Sequence, residues 1–211
     1  MPRQRVRALA QGRGDDGAVA VPLALRLAAR IQERDWDDFT RDPTQLANGL
    51  RDLVDACGPD GVPVTTPEVL LDGGTDLLGS EQGVAALEAT RRLRASMGDR
   101  VALVACLPGP AALPGGSDAL LAAGKEFLAA GADVLVVLAD HGPPLGTLAN
   151  VARFHQALAL GCCDAHGLPV VARVPLHAPL PTPGVVLTTE DLPRDTDVSV
   201  LEDWVDAVRG S

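Results

Sequence analysis

Apolar positions along the chain form two alternating kinds of run. Short unbroken ones, such as 101–105 and 134–138, carry no polar residue at either parity of position. A strand apolar at both parities is buried on both faces, as in a parallel sheet covered by helices. Between these runs lie longer segments whose apolar residues recur every three or four positions, the helical period. Leu46, Leu50, Leu53, Val54 and Cys57 share one face of such a segment. It opens on Asp42-Pro43-Thr44-Gln45: a cap, a first-turn proline and a glutamine able to reach back. Four helix-like ends close on Gly58, Gly98, Gly131 and Gly167, and each is followed within a few residues by a β-rich run. Glycine just past a helix end supplies the left-handed residue that closes the last turn. The interval is that of one helix, one strand and two loops.

Other segments carry weaker punctuation. Over 84–97, the face Ala86, Thr90, Leu93 and Met97 opposes Arg91, Arg92 and Arg94. Ser117 reads as the cap of a helix ending at Ala130, and Thr147 as the cap of one running to near His166. Ser199 and Glu202 read as a capping box before Trp204, Val205 and Val208. Strands at 62–66, 101–106, 134–139 and 169–174 are joined by a fifth at 185–187 and a sixth at 18–21. Alternating helix and strand predicts an α/β fold with parallel strands and right-handed crossovers. A closed barrel of this kind needs eight strands and typically about 250 residues. The expectation is therefore one domain over 1–211, an incomplete or shortened (β/α)8-type barrel, or else an open sheet. Prolines at 175, 179, 181 and 183 exclude helix or strand interior there and place a loop at the sheet's carboxyl edge.

Composition narrows the function classes. A formal charge of −10 argues against nucleic acid or an anionic membrane as the main partner. With no Tyr, two Trp and three Phe, the core must be built from Ala, Val and Leu, and a tyrosine acid is excluded. Cys57, Cys106, Cys162 and Cys163 do not make a disulfide scaffold in a chain of 211 residues. The amino-terminal stretch alternates arginine with apolar residues and has no signal core, and no apolar run approaches a bilayer span, so a cytoplasmic location is expected. Arg3 and Arg7 share a helical face that reads as solvated. Cys162 and His166 read as neighbours on one helix, with His155 on its packed face beyond reach of a shared ion. No set of three ligands stands at workable spacing, and no metal or other cofactor is expected.

In a parallel α/β sheet the loops after the strands share one edge, and ligands bind there. That edge collects Thr65, Thr66 and Glu68, then Cys106 with Pro108-Gly109-Pro110, then Asp140 and His141. The last two loops add Arg173 with His177, and Glu190 with Asp191. A carboxylate beside an imidazole at a strand end makes an acid–base pair, so Asp140, His141 and Glu68 are the candidate catalytic groups. Arg173, His177, Cys106, Gly109, Pro110 and Thr66 are the candidate substrate contacts. Alternatives stand beside these roles: Asp140 as a turn residue, Glu68 as a helix cap, Arg173 as a partner of Asp140 or an anchor for a carboxylate.

These pieces resemble the uroporphyrinogen decarboxylase superfamily, especially its cobamide methyltransferase-like branch. The resemblance rests on the opening Arg3-Gln4-Arg5-Val6-Arg7-Ala8-Leu9-Ala10, on the stretch from Asp42-Pro43 to Asp60-Gly61-Val62, and on the helix from Ala86 leading through Met97-Gly98-Asp99 to Pro108-Gly109-Pro110. Gly131-Ala132-Asp133-Val134 to Asp140, and Gly167-Leu168-Pro169-Val170, are similar to two further strand units of that family. It implies a (β/α)8-type barrel whose members decarboxylate tetrapyrrole carboxylates or transfer methyl groups, often as dimers. The chain departs from the pattern in three places. It is shorter, the decarboxylases' arginine-rich motif has no match, and Arg173-Val174-Pro175 stands where the methyltransferases carry a zinc-binding His-x-Cys. The resemblance thus implies a metal-free carboxy-lyase acting on a tetrapyrrole or other carboxylate. The alternatives are a non-catalytic ligand-binding or partner subunit and, third, a corrinoid-linked methyltransferase. Too few strands to close a barrel would leave two bare edges, so a homodimer or a complex with a second subunit is expected.

Overall fold

The computed structural model describes residues 1–13, 17–74, 76–177, 179 and 182–210. Seven strands are present among them: β1 (Ala18–Val21), β2 (Gly61–Thr65), β3 (Ala102–Pro108), β4 (Val134–Leu138), β5 (Leu158–Gly161), β6 (Ala172–Val174) and β7 (Gly184–Thr188). Every pairing is parallel, in two sheets ordered β2-β3-β4-β5 and β1-β7-β6. No ladder closes them into one continuous sheet, but both seams are bridged. Asp60 N–H donates to Ala20 O at 3.0 Å, joining β2 to β1. At the other seam, Val171 N–H donates to Gly161 O at 2.9 Å, joining β5 to the approach to β6. Chain order thus runs round the ring, as it does in a (β/α)-type barrel.

Nine α-helices lie among the described residues. They are α1 (Pro2–Ala10), α2 (Leu25–Ile31), α3 (Trp36–Arg41), α4 (Pro43–Cys57), α5 (Pro67–Asp72), α6 (Glu81–Met97), α7 (Gly116–Ala130), α8 (Gly146–Phe154) and α9 (Val198–Arg209). Strand parity divides the core in two. Leu103, Ala105, Leu107, Leu135, Val137 and Val186 pack outward with the helices, around Trp204, Phe39 and Phe127. Val19, Val21, Ala102, Val104, Val134, Val136 and Leu187 turn inward and fill the ring, with Val6 of α1 beneath them. A ring of Val and Ala stays narrow enough to be filled without aromatics.

Two aspartates set the amino-terminal edge by the same device. Asp60 N–H and carboxylate exchange hydrogen bonds with the backbone of Ala20, at 3.0 Å each. Asp133 does so with Leu103, at 2.8 and 3.0 Å. Asp133 is also bound by Arg3 Nε at 2.8 Å and by Arg94, while Arg3 Nη1 holds Asp99 at 2.8 Å. Arg3 is therefore not a solvated charge; it fastens α1 under the ring.

Several readings of the sequence are corrected. The segment 147–166 is not one helix: α8 ends at Phe154, β5 follows, and Asp164–His166 forms a 3-10 turn. The β5 strand was hidden because four residues are too few for a period to declare itself. Phe154 is 85% exposed and His155 is exposed, so the His155 face is not the packed one. The caps differ too, since α7 starts after Gly115, and Asp197 rather than Ser199 caps α9, accepting Ser199 N–H at 3.0 Å. Asp42 caps α4 as expected, taking Thr44 N–H at 2.7 Å and Gln45 N–H at 3.2 Å. Replacing Asp42 by alanine should lower stability by about 1 kcal/mol, read from the urea midpoint. Among the described residues no helix covers β6, and none is long and apolar enough to cross a membrane. Pro181 of the proline-rich loop lies outside the described residues.

Candidate functional site

All seven strands are parallel, so their carboxyl ends, and the residues just beyond them, share one mouth. Parity decides which side chains look into it. On β3 the inward series Ala102 and Val104 ends in Cys106, which is fully buried. On β2 the register slips between Pro63 and Thr65, so Thr65 pairs with Ala105. The next residue, Thr66, thereby takes the inward position beside Cys106. It is 4% exposed, and its hydroxyl has no hydrogen-bond partner. Cys162 follows β5 in the inward series, and Arg173 occupies the inward parity of β6 after Val171. Arg173 Nη2 donates to Thr189 O, and its Nε and Nη1 have no partner among the described residues.

Beyond β7, after Val185 and Leu187 of the inward series, the chain bends at Thr189 and Glu190 and reaches Asp191. Both carboxylate oxygens of Asp191 are buried without a hydrogen-bond partner. The nearest backbone donor in the chain, Leu192 N–H, is spent on Leu23 O at 2.7 Å. Burial pushes the Asp191 carboxyl up to about 6 and Glu68 adds to the rise, while Arg26 and the nearby Leu192 N–H oppose it. Arg26 is itself held by an ion pair with Glu68 and lies 4.4 Å from the centre of the Trp36 ring.

The thiols are held protonated. Burial lifts Cys106 far above its usual value, Cys162 and Asp191 add to this, and Arg173 opposes it. Burial likewise lifts Cys162, with Arg173 opposing and Asp140 adding. Cys106 thus lies within electrostatic reach of Arg173, Asp191 and Cys162, and Cys162 within reach of Arg173 and Asp140.

The structure thus brings together Thr66, Cys106, Arg173 and Asp140 from the expected set, with Glu68 joined through Asp191. Asp140 and His141 are both exposed, and no hydrogen bond links them among the described residues, so the adjacent acid–base pair does not form. Gly109 and Pro110 are buried. A Cβ on Gly109 would collide with Ala139, so that glycine lets β3 leave beside the exit of β4. His177 lies apart from the mouth, on a pocket of about 320 Å³ between the β6 and β7 loops, whose walls include Pro175, Leu176, Leu192 and Pro193. Thr189 and Glu190 border the same pocket.

Two residues carry more than the sequence reading assigned to them. Asp191 stands beside Glu190 in the last loop of the edge, and no local signal in the sequence sets it apart. His166, read as a helix residue, is fully buried with Nδ1 3.3 Å from Pro143 O and Nε2 3.3 Å from Ala139 O. It clamps the loop that carries Asp140. His166→Ala should loosen that loop and cost about 1–3 kcal/mol, read as faster amide exchange over 139–145 and a lower urea midpoint.

A zinc–thiolate centre, which the methyltransferase-like resemblance implies, does not suit these residues. Both ring nitrogens of His166 face backbone carbonyls, Cys106 and Cys162 are held as thiols, and no group of three His, Cys, Asp or Glu converges among the described residues.

No family model and no curated protein matches the sequence. The fold, however, is similar to solved structures. A methyltransferase from Methanosarcina mazei superposes with a TM-score of 0.73 at 14% identity, covering 98% of this chain and 97% of that one. The tryptophan synthase alpha subunit of Legionella pneumophila str. Paris gives a TM-score of 0.52 at 11% identity, covering 100% and 98%. Both are likenesses of fold. They accord with the parallel α/β ring seen here.

Proposed function

We propose that this chain is a small-molecule enzyme that binds a carboxylate substrate at Arg173 and transfers a proton through Asp191, in the manner of a metal-free carboxy-lyase of the uroporphyrinogen decarboxylase type. The observation that carries the reading is Asp191: a buried carboxyl, raised to about 6, with neither oxygen hydrogen-bonded. Such a group is destabilising unless something uses it, and a value near neutrality is what a proton donor in turnover requires. Arg173 keeps guanidinium donors at Nε and Nη1 that no described residue takes up, and such donors bind carboxylates. Loss of CO2 breaks the carbon–carbon bond and leaves its electron pair on carbon. The Asp191 proton completes that carbon, and solvent reprotonates Asp191. A protonated Asp191 also lets an anion approach where an ionised one would repel it.

The test is a panel of small carboxylates incubated with the protein in deuterated water. One member should release CO2 and acquire a single deuterium, both lost in Asp191→Asn. Turnover that survives Asp191→Asn would overturn the proposal. A methyl-transfer reading draws on the fold shared with the Methanosarcina methyltransferase. It would need activation of the acceptor by groups other than the protonated thiols described above.

A further inference from the structure

Resting on that reading, we infer that the pocket between the β6 and β7 loops receives the apolar body of the substrate. The substrate is then a compact amphipathic carboxylate and not a tetrapyrrole.

Two features set what the pocket takes. Its polar floor is already satisfied: Thr188 Oγ1 accepts Leu23 N–H at 3.0 Å and donates to Glu190 O at 2.8 Å. The apolar part of the wall is Pro175, Leu176, Leu192 and Pro193, with the exposed His177 also on the lining, so the buried part of the occupant is apolar. The ends of the pocket differ in charge. Glu190 borders it and is exposed, which disfavours an anion on that side. Thr189, on the same border, accepts Arg173 through its carbonyl, and Pro175 is only two residues from Arg173. The guanidinium thus marks the boundary between mouth and pocket. A carboxylate held there directs its chain into the pocket.

Size then selects the class. A water occupies about 30 Å³ of liquid, so roughly ten non-hydrogen atoms fill the space. The pocket volume is about 320 Å³. That suits a short aliphatic or single-ring body and is well short of a four-pyrrole macrocycle. No helix follows β6 among the described residues, and Pro175, Leu176 and His177 lie along the pocket there.

The experiment is calorimetric titration at pH 5.5 with straight-chain monocarboxylates from acetate to decanoate, and with a tetrapyrrole carboxylate. Each added methylene should tighten binding about fourfold until the pocket fills, after which affinity levels off. Leu176→Trp should remove the dependence on chain length and leave acetate binding unchanged. Leu176→Ala, the milder change, should move the plateau to a longer chain. Arg173→Gln should weaken every member alike. Affinity independent of chain length, or a plateau indifferent to both Leu176 variants, would overturn the pocket assignment and leave the Arg173 anchor standing. Chain-length dependence that survives with no loss in Arg173→Gln would overturn the anchor and with it the proposed function. Tight binding of the tetrapyrrole in place of the short acids would overturn the substrate class.

Discussion

Asp191→Asn is expected to make the protein more stable and inactive at once. The folded carboxyl titrates at about 6 and the unfolded one near 3.8. Between those values the folded state holds more protons than the unfolded one, so stability falls as pH rises through the interval. Above about pH 6 the full penalty is present. A shift of this size corresponds to up to about 3 kcal/mol. Asparagine carries no charge to desolvate, so the variant should exceed the parent by a margin that opens between pH 4 and 6 and is constant above. Urea unfolding at pH 4, 5, 6 and 8 checks this. Turnover should fall by about 10²- to 10⁴-fold, the usual contribution of a positioned acid. In the parent it should decline as pH rises through about 6, because the protonated form is the donor. A variant less stable than the parent at pH 8 would show that Asp191 has a structural partner and is not a strained functional group. Stability given up at a reactive group is a common trade in enzymes.

The parallel α/β character was legible because its causes are local. Unbroken apolar runs report burial on both faces, and glycine ends report where helices stop; both act within a few residues. What stayed hidden depends on distant partners. The β5 strand has only four residues, and its last, Gly161, meets Val170 through a single bridge. Arg3 looks like a solvated arginine until Asp133, 130 positions away, is folded against it. At the site, the edge itself was legible, since parallel strands put their carboxyl ends together by topology. The grading of residues along it was not. Asp140 and His141 are adjacent in sequence yet both exposed. Asp191 gains its properties from burial that its own neighbours Glu190 and Leu192 do not announce. Thr66 looks inward only because the register of β2 slips between Pro63 and Thr65. The ground for association has shifted as well: the seams are bridged, and the uncovered surface is the outer side of β6, where Val170 is 50% exposed.

Asp133→Ala should be the most damaging single change in stability among those considered. Its carboxylate is 5% exposed and serves three masters: Arg3 at 2.8 Å, Arg94, and the Leu103 N–H at 3.0 Å. Removing it leaves two guanidinium groups, 19% and 15% exposed, without their shared counter-charge. It also strips the side-chain acceptor from Leu103, where β3 begins to pair with β4. Breaking one member of a buried ionic network costs about 3–5 kcal/mol, chiefly through the charges left behind. Arg3→Met should cost less, because Arg94 still neutralises Asp133 and the methionine stem keeps some of the packing under the ring. The two changes should not be additive, since both act on one network. A double-mutant cycle read by urea unfolding at pH 7 measures the coupling. Additive losses would mean that Arg3 holds α1 through Asp99 and packing alone, and that Asp133 serves only the strand backbone and Arg94.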